Sequence, residues 1–280
     1  MLLERDEVRP DKPDNDGETS LLYAASNGHV EAVELLLQRD EVNPDQSNNS
    51  GQTPLLFAAL NGHEGVVKTL LQRNEVNPNT PDIYGLTPLM WAAHNGHQGV
   101  VKILVQWDEV NLDYSNNQGQ TALFPAAWNG NVEVMEALLR QDEVNPDKVD
   151  NNGRTPLRLA ALFGREGVVK LLLARPEVNP DKPDIDGRTP LLCAAWNGHE
   201  GVVKMLLERD EVSPDKPDND GRTPISYAAG NGYAGVVGIL LGRDVDPCKP
   251  DDFGQTPLRM ATRHGHTAVV ALLRPEGPSL

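Results

Sequence analysis

DIDGRTPLLCAAWNGHEGVVKMLLERDEVSPDKP, residues 184–217, reads as two short helices joined by two turns. Thr189-Pro190 marks a helix start, because a Thr hydroxyl can cap free backbone N–H groups and proline is tolerated in the first helical turn. LLCAAW continues that helix, and Gly198 can take the left-handed conformation that ends it. EGVVKMLLER, residues 200–209, has the spacing of a second, amphipathic helix, which Pro214 prevents from continuing. The PDKPDIDG stretch at 180–187 reads as an extended loop closed by a turn.

The same unit recurs along the chain. Gly17, Gly51, Gly85, Gly119, Gly153, Gly187 and Gly221 are each 34 residues apart, and Gly254 follows after a one-residue deletion near Asp246. Residues 1–17 repeat residues 205–221 except that Arg9 stands where Ser213 does. A fixed period of this length signals a stacked solenoid, in which each unit buries its apolar face only against its neighbours. The pattern G-x-T-P-L-x-x-A-A-x-x-G-H resembles the ankyrin repeat family along almost the whole chain. The resemblance implies an all-α ankyrin-repeat solenoid of turn-helix-loop-helix units.

Two features depart from that family's pattern. The histidine usual after TPL is replaced by Leu22, Leu56, Met90, Phe124, Arg158, Leu192, Ser226 and Arg259, and the glycine usual after helix two gives way to RDEVNP. The expected organisation is a truncated preceding repeat at residues 1–13, seven repeats at 14–250 and a C-terminal capping repeat at 251–280. On this reading the chain is a fragment of a longer array. Arg263, His264, Thr267 and the closing RPEGPSL place polar residues and prolines where another repeat would dock.

Composition narrows the function. The 280 residues carry 41 acidic and 25 basic side chains, a net charge of −16, so nucleic-acid phosphates and anionic lipid surfaces are repelled and neither is an expected partner. No apolar run approaches the roughly 18 residues of a membrane span. Cys193 and Cys248 lack CxxC spacing and read as free thiols in a reducing, cytoplasmic compartment. There is no phosphate loop, zinc-protease helix or nucleophile elbow, so no catalytic residue and no enzymatic activity are expected. The acidic turns DNDG and DIDG lack the ligand spacing of a calcium loop. His94 and His97 are separated by the helix-ending Gly96, and His29, His63, His97, His199 and His266 share one repeated column, which reads as structural. No metal and no cofactor is expected. Asp14, Asp16, Asp184, Asp186, Asp218 and Asp220, with Asp45, Asp113, Asp147, Asp181 and Asp215 before the turns, are expected to form an acidic edge.

The eight copies can be compared with one another, counting column 1 at Asp14, Asn48, Asp82, Asn116, Asp150, Asp184, Asp218 and Asp251. Gly in columns 4 and 15, Thr in column 6, Ala in column 11 and Leu in column 23 are invariant, as turn, cap and packing roles require. Columns 3, 5, 9, 10 and 13 vary most, and they hold nine aromatic residues: Tyr84, Phe253, Phe124, Tyr23, Phe57, Trp91, Tyr227, Trp128 and Trp196. At about 100° per residue, columns 8, 11 and 12 fall on one arc of helix one and columns 9, 10 and 13 on the other, so the varied residues are expected to face outward.

In the ankyrin family that side lines the concave groove where partners bind. The expected partner is therefore a protein or peptide in that groove, with Tyr84, Met90, Trp91, His94, Phe124, Trp128, Arg158, Leu162, Leu192, Trp196, Arg222 and Tyr227 as contact residues. Large aromatic side chains dominate binding hot spots because they bury much area with few rotatable bonds. RDEVNPD at 39–45 and NGHEGVVK at 61–68 look like the ankyrin arrays of fungal NOD-like receptors, which would make these repeats the innate-immune sensor of a larger protein. The isolated fragment is expected to be a monomer. Two alternatives stay open at this point: a structural spacer without a specific ligand, and self-association through the N-terminal half repeat.

Overall fold

The computed structural model describes residues 11–274. The expected half repeat at 1–13 and the last part of the closing RPEGPSL lie largely outside these residues. All regular structure among them is helical, in the order α1 Ser20–Ser26, α2 Val30–Leu36, α3 Pro54–Asn61, α4 Glu64–Leu71, α5 Pro88–Asn95, α6 Gln98–Leu104, α7 Leu123–Asn129 and α8 Val132–Leu139 in a first compact unit that ends at Asn145. A second unit, from Pro146, holds α9 Pro156–Leu162, α10 Glu166–Leu173, α11 Pro190–Trp196, α12 Glu200–Leu207, α13 Pro224–Asn231, α14 Ala234–Leu241, α15 Pro257–Arg263 and α16 Thr267–Leu273. Within each unit the odd-numbered helices pack on one another in one layer and the even-numbered helices in a second, and each pair packs across the layers. This is the all-α solenoid of paired helices that the resemblance implies. No helix among the described residues is long and apolar enough to cross a membrane.

The local rules behave as the composition of the unit dictates. Thr19, Thr53, Thr87, Thr155, Thr189, Thr223 and Thr256 each accept a hydrogen bond from the backbone N–H three residues on, and six of these helices carry Pro just inside the start. In α7 Ala122 replaces that proline, the helix starts one residue later, and the buried Thr121 hydroxyl has no partner. The turn between paired helices needs glycine for two reasons. At Gly198 φ is +74°, a value L side chains rarely adopt, and an added Cβ would lie 2.6 Å from the Tyr233 ring.

Successive repeats are tied by that same turn. His63, His97, His199 and His266 each donate from Nε2 to a backbone carbonyl of the preceding repeat, those of Ser26, Leu60, Leu162 and Gly230, at 2.9–3.0 Å. Asn131 does the same from Nδ2 to Ala93 O at 2.8 Å. The shared histidine column is thus a repeat-to-repeat staple. The RDEVNP variant loop is pinned by its valine: Val42, Val76, Val110, Val144, Val178 and Val212 are all buried.

The core holds columns 8, 11 and 12, as expected, and also column 9, which was expected to face outward. Leu22, Leu56, Met90, Phe124, Arg158, Leu192 and Ser226 are all buried, and Arg259 alone in that column is exposed. The physical reason is lateral packing. A helix flanked by a like helix on each side buries a wider arc than the stripe of about 100° expected of a surface helix. Column 9, on the border of that stripe, is covered by the neighbouring repeat. Among the described residues no helix one follows that of Arg259.

Candidate functional site

Column 1 organises the outward side of each repeat. In the third repeat, Oδ1 of Asp82 accepts from the backbone N–H of Tyr84 and Leu86, both at 2.9 Å, which holds the turn in shape. Its Oδ2 accepts from the Trp91 indole N–H at 3.0 Å. Trp91 in turn meets His94 edge-on, with ring centroids 5.8 Å apart. The Tyr227 hydroxyl donates to Asp218 Oδ2 at 2.8 Å, and the Tyr23 hydroxyl to Asp14 Oδ2 at 2.9 Å. Where column 10 has no donor, another group serves: Arg154 pairs with Asp150 at 2.7 Å and Arg158 with Asp184 at 2.6 Å. Asn48 and Asn116 stand in column 1 where column 10 is Phe57 or Pro125, and their amides donate to Gln52 and Gln120.

These bonds shift proton affinities in consistent directions. The Asp14 carboxylate beside Tyr23 pushes that phenol up to about 12, while the Glu18 and Tyr23 bonds hold Asp14 below the usual carboxylate range. Tyr227 is raised by burial first and by Asp218 as well. Burial raises Asp150, but its bonds from Arg154 and Asn152 more than offset that, so its carboxyl lies low.

The second unit extends this into a continuous stack. Trp196 and Tyr227 lie face to face, centroids 4.8 Å apart and 20° from parallel. The Arg188 guanidinium lies over the Trp196 ring, 5.2 Å from its centroid, and Arg222 lies 5.9 Å from the Tyr227 ring and 5.6 Å from that of Phe253. Asp186 and Asp220 pair with Arg188 and Arg222 at 3.1 and 3.2 Å. In the first unit the exposed apolar side chains are Tyr23, Leu35, Ile83, Tyr84 and Trp128.

The expected contact residues therefore divide. Tyr84, Trp128 and His94 are exposed, at 65% and 47% for the first two, and Trp91, Leu162, Trp196, Arg222 and Tyr227 are half-buried with an edge in solvent. Met90, Phe124 and Leu192 are enclosed in the core, and the Arg158 guanidinium is buried against Asp184, so these four face neighbouring helices and offer nothing to a partner. Arg188, Ile83 and Ile185 belong to the outward faces and were missed. Arg188 could have been found from its place in variable column 5, as Arg222 was.

The acidic edge is smaller than expected. Lys182, Lys216 and Lys249 each donate to the carboxylate and backbone carbonyl of Asp147, Asp181 and Asp215 in the preceding repeat, a ladder of partly buried ion pairs. Among the described residues no group of three or more His, Cys, Asp or Glu is placed to hold a metal ion. Cys193 is buried, which raises its thiol to about 11, and Cys248 is exposed.

The family model described as ankyrin repeats, in three copies, matches the chain over residues 1–82, 73–150, 142–218 and 211–279. No curated protein sequence matches it.

Proposed function

The chain belongs to the ankyrin-repeat family, whose repeats generally mediate protein–protein interaction, and from that premise we propose that it recognises a protein or peptide partner through the turn-and-helix-one side of its repeats. One patch lies on each unit: Tyr84, Trp91, His94 and Trp128 on the first, Leu162, Trp196, Arg222 and Tyr227 on the second. The observation that carries the reading is the tethering of the column-10 tips, Trp91 to Asp82 and Tyr227 to Asp218. A ring held by packing on one side and a hydrogen bond at its tip loses little rotamer freedom when a partner covers it, and such pre-ordering favours affinity. The same columns are those in which the copies differ, as diverse recognition requires.

The finer setting is part of the proposal: a cytoplasmic, monomeric array, closed by residues 251–280 as a cap, that serves as the sensor of a fungal NOD-like receptor. Its support is the RDEVNPD and NGHEGVVK resemblance and, for the cap, the exposed Arg259, Thr262 and Arg263. A partner selection from a displayed peptide library tests the binding claim. Binders should be lost with Trp128→Ser/Trp196→Ser/Tyr227→Phe while the variant still unfolds cooperatively; binders that keep full affinity for it would refute the assignment of these faces.

A further inference from the structure

The stack on the second unit specifies what kind of partner it can read. Trp196 is covered by the Tyr227 ring and by the Arg188 guanidinium, and Tyr227 is approached in turn by Arg222. The donors on this stack are the Trp196 indole N–H, which has no hydrogen bond among the described residues, and the guanidiniums of Arg188 and Arg222, whose side chains are 27% and 31% exposed.

Each of these guanidiniums gives Nη1 to a flanking carboxylate, Asp186 or Asp220, and Arg222 also lies 3.8 Å from Asp251. An Arg has five N–H donors, so each retains donors for a further acceptor. The Arg188 Nε is buried without a partner, so this side chain is held by stacking and a single ion pair. Of the turn carboxylates, the buried Asp184 and Asp218 are committed to Arg158 and Tyr227, while the half-exposed Asp186 and Asp220 each share one oxygen with an arginine. An acidic partner uses the donors that the two arginines retain.

Arg188 and Arg222 hold the same column of adjacent repeats. Helices packed side by side lie about 8–10 Å apart, and a peptide in the extended polyproline II conformation advances about 3.1 Å per residue with three residues per turn, so one repeat matches three residues and every third side chain lies on one edge. We propose that this ladder binds an extended acidic peptide segment in which Asp or Glu recurs every third residue, one carboxylate seated on Arg188 and the next on Arg222. The proposal rests on the partner-binding reading above and names the chemistry of that partner on the second unit. The net charge of −16 opposes such a segment at long range. At physiological salt that field is screened beyond about 8 Å, and the contact donors decide.

The test is fluorescence anisotropy with the full chain and four labelled synthetic peptides of one length: Glu at every third residue, the same with Gln, the same with Lys, and Glu at every second residue. The Glu-every-third peptide should bind about tenfold or more tighter than the Gln peptide, and Arg188→Gln/Arg222→Gln should abolish that preference. The double variant keeps both side chains long and polar, and an unchanged far-ultraviolet spectrum and melting midpoint would show that it is folded. Equal or stronger binding of the Gln or Lys peptide, indifference to spacing, a preference that survives in the double variant, or no binding of any peptide at about 1 mM would each overturn the proposal. The selection described above separates it from its premise. A selected binder that needs Trp196 but lacks acidic residues sinks the carboxylate reading alone, and a selection without any binder on this face sinks both.

Discussion

The Arg158–Asp184 pair is the most decisive perturbation the second unit offers. Arg158 stands in a column that is otherwise apolar or small in the core, and its side chain is 7% exposed against 3% for Asp184. Removing one partner of a buried pair costs about 3–5 kcal/mol, because the charge left behind stays desolvated. Asp184 keeps two backbone donors, Asp186 N–H at 3.0 Å and Arg188 N–H at 2.9 Å, and the leucine of an Arg158→Leu substitution gains apolar burial. The single variant should therefore lie at the low end, about 2–3 kcal/mol.

The repeats themselves indicate the remedy. Asn48 and Asn116 close the same turn with a neutral side chain, Asn48 Oδ1 accepting from Ser50 and Gln52 N–H at 3.0 Å. Arg158→Leu/Asp184→Asn should thus return to within about 1 kcal/mol of the parent, since replacing a buried ion pair by uncharged groups is often nearly neutral. Urea unfolding followed by circular dichroism and by tryptophan emission reads both changes. A neutral Arg158→Leu, or a double variant no more stable than the single, would refute the claim that a desolvated charge, rather than packing volume, sets the cost.

Other consequences can be checked in parallel. One thiol per folded chain, Cys248, should react with Ellman's reagent at pH 8, and a second, Cys193, only after unfolding, because burial raises that thiol to about 11. Tyr23 is raised from 10.0 to about 12, so its bond to Asp14 contributes below pH 10 and fades as the pH rises toward 12. A 295 nm titration of the parent minus Tyr23→Phe should show that late phenol, and a difference curve centred near 10 would contradict it. His199→Ala should cost about 1–2 kcal/mol by orphaning the Leu162 carbonyl, read as a shift in urea midpoint. Trp128→Ser should cost roughly 0.5 kcal/mol or less and Trp196→Ser about 2, since the first is exposed and the second is sandwiched; equal costs in thermal melts would contradict the stack.

Much of the fold was legible because each repeat states its own rules. Thr189-Pro190 announces a capped helix, Gly198 its end, and eight copies turn a weak local signal into a period. The helical wheel failed at column 9 because it treats each helix as having one buried side. Met90 and Leu192 lie between neighbouring helices one, and only the stacking of repeats supplies the second wall. Arg158 misled for a further reason: a charge in a variable column reads as surface, and nothing within its own repeat reveals that Asp184, 26 residues on, receives it.

Read with the structure, the variation in column 10 follows that of column 1. Aspartate stands there with a donor to Oδ2 in five of six cases, Tyr23, Trp91 and Tyr227 from column 10 and Arg154 and Arg158 from columns 5 and 9, while Asp251 Oδ2 is buried without a hydrogen-bond partner, Arg222 lying 3.8 Å away. Asparagine stands there where column 10 is Phe57 or Pro125. A carboxylate at the turn that lost its donor would be partly desolvated and unsatisfied, which costs more than a neutral amide in the same place. The turn therefore constrains which aromatic can occupy the outward face, and the two exchange as a unit. Placing Asn at Asp82 should leave the turn closed but weaken the tether of Trp91, broadening its indole N–H resonance, and Asn with Phe at Trp91 should restore a quiet, folded repeat. A Trp91 resonance as sharp with Asn as with Asp would mean that packing alone holds the ring, and the coupling between the two columns would then be coincidence.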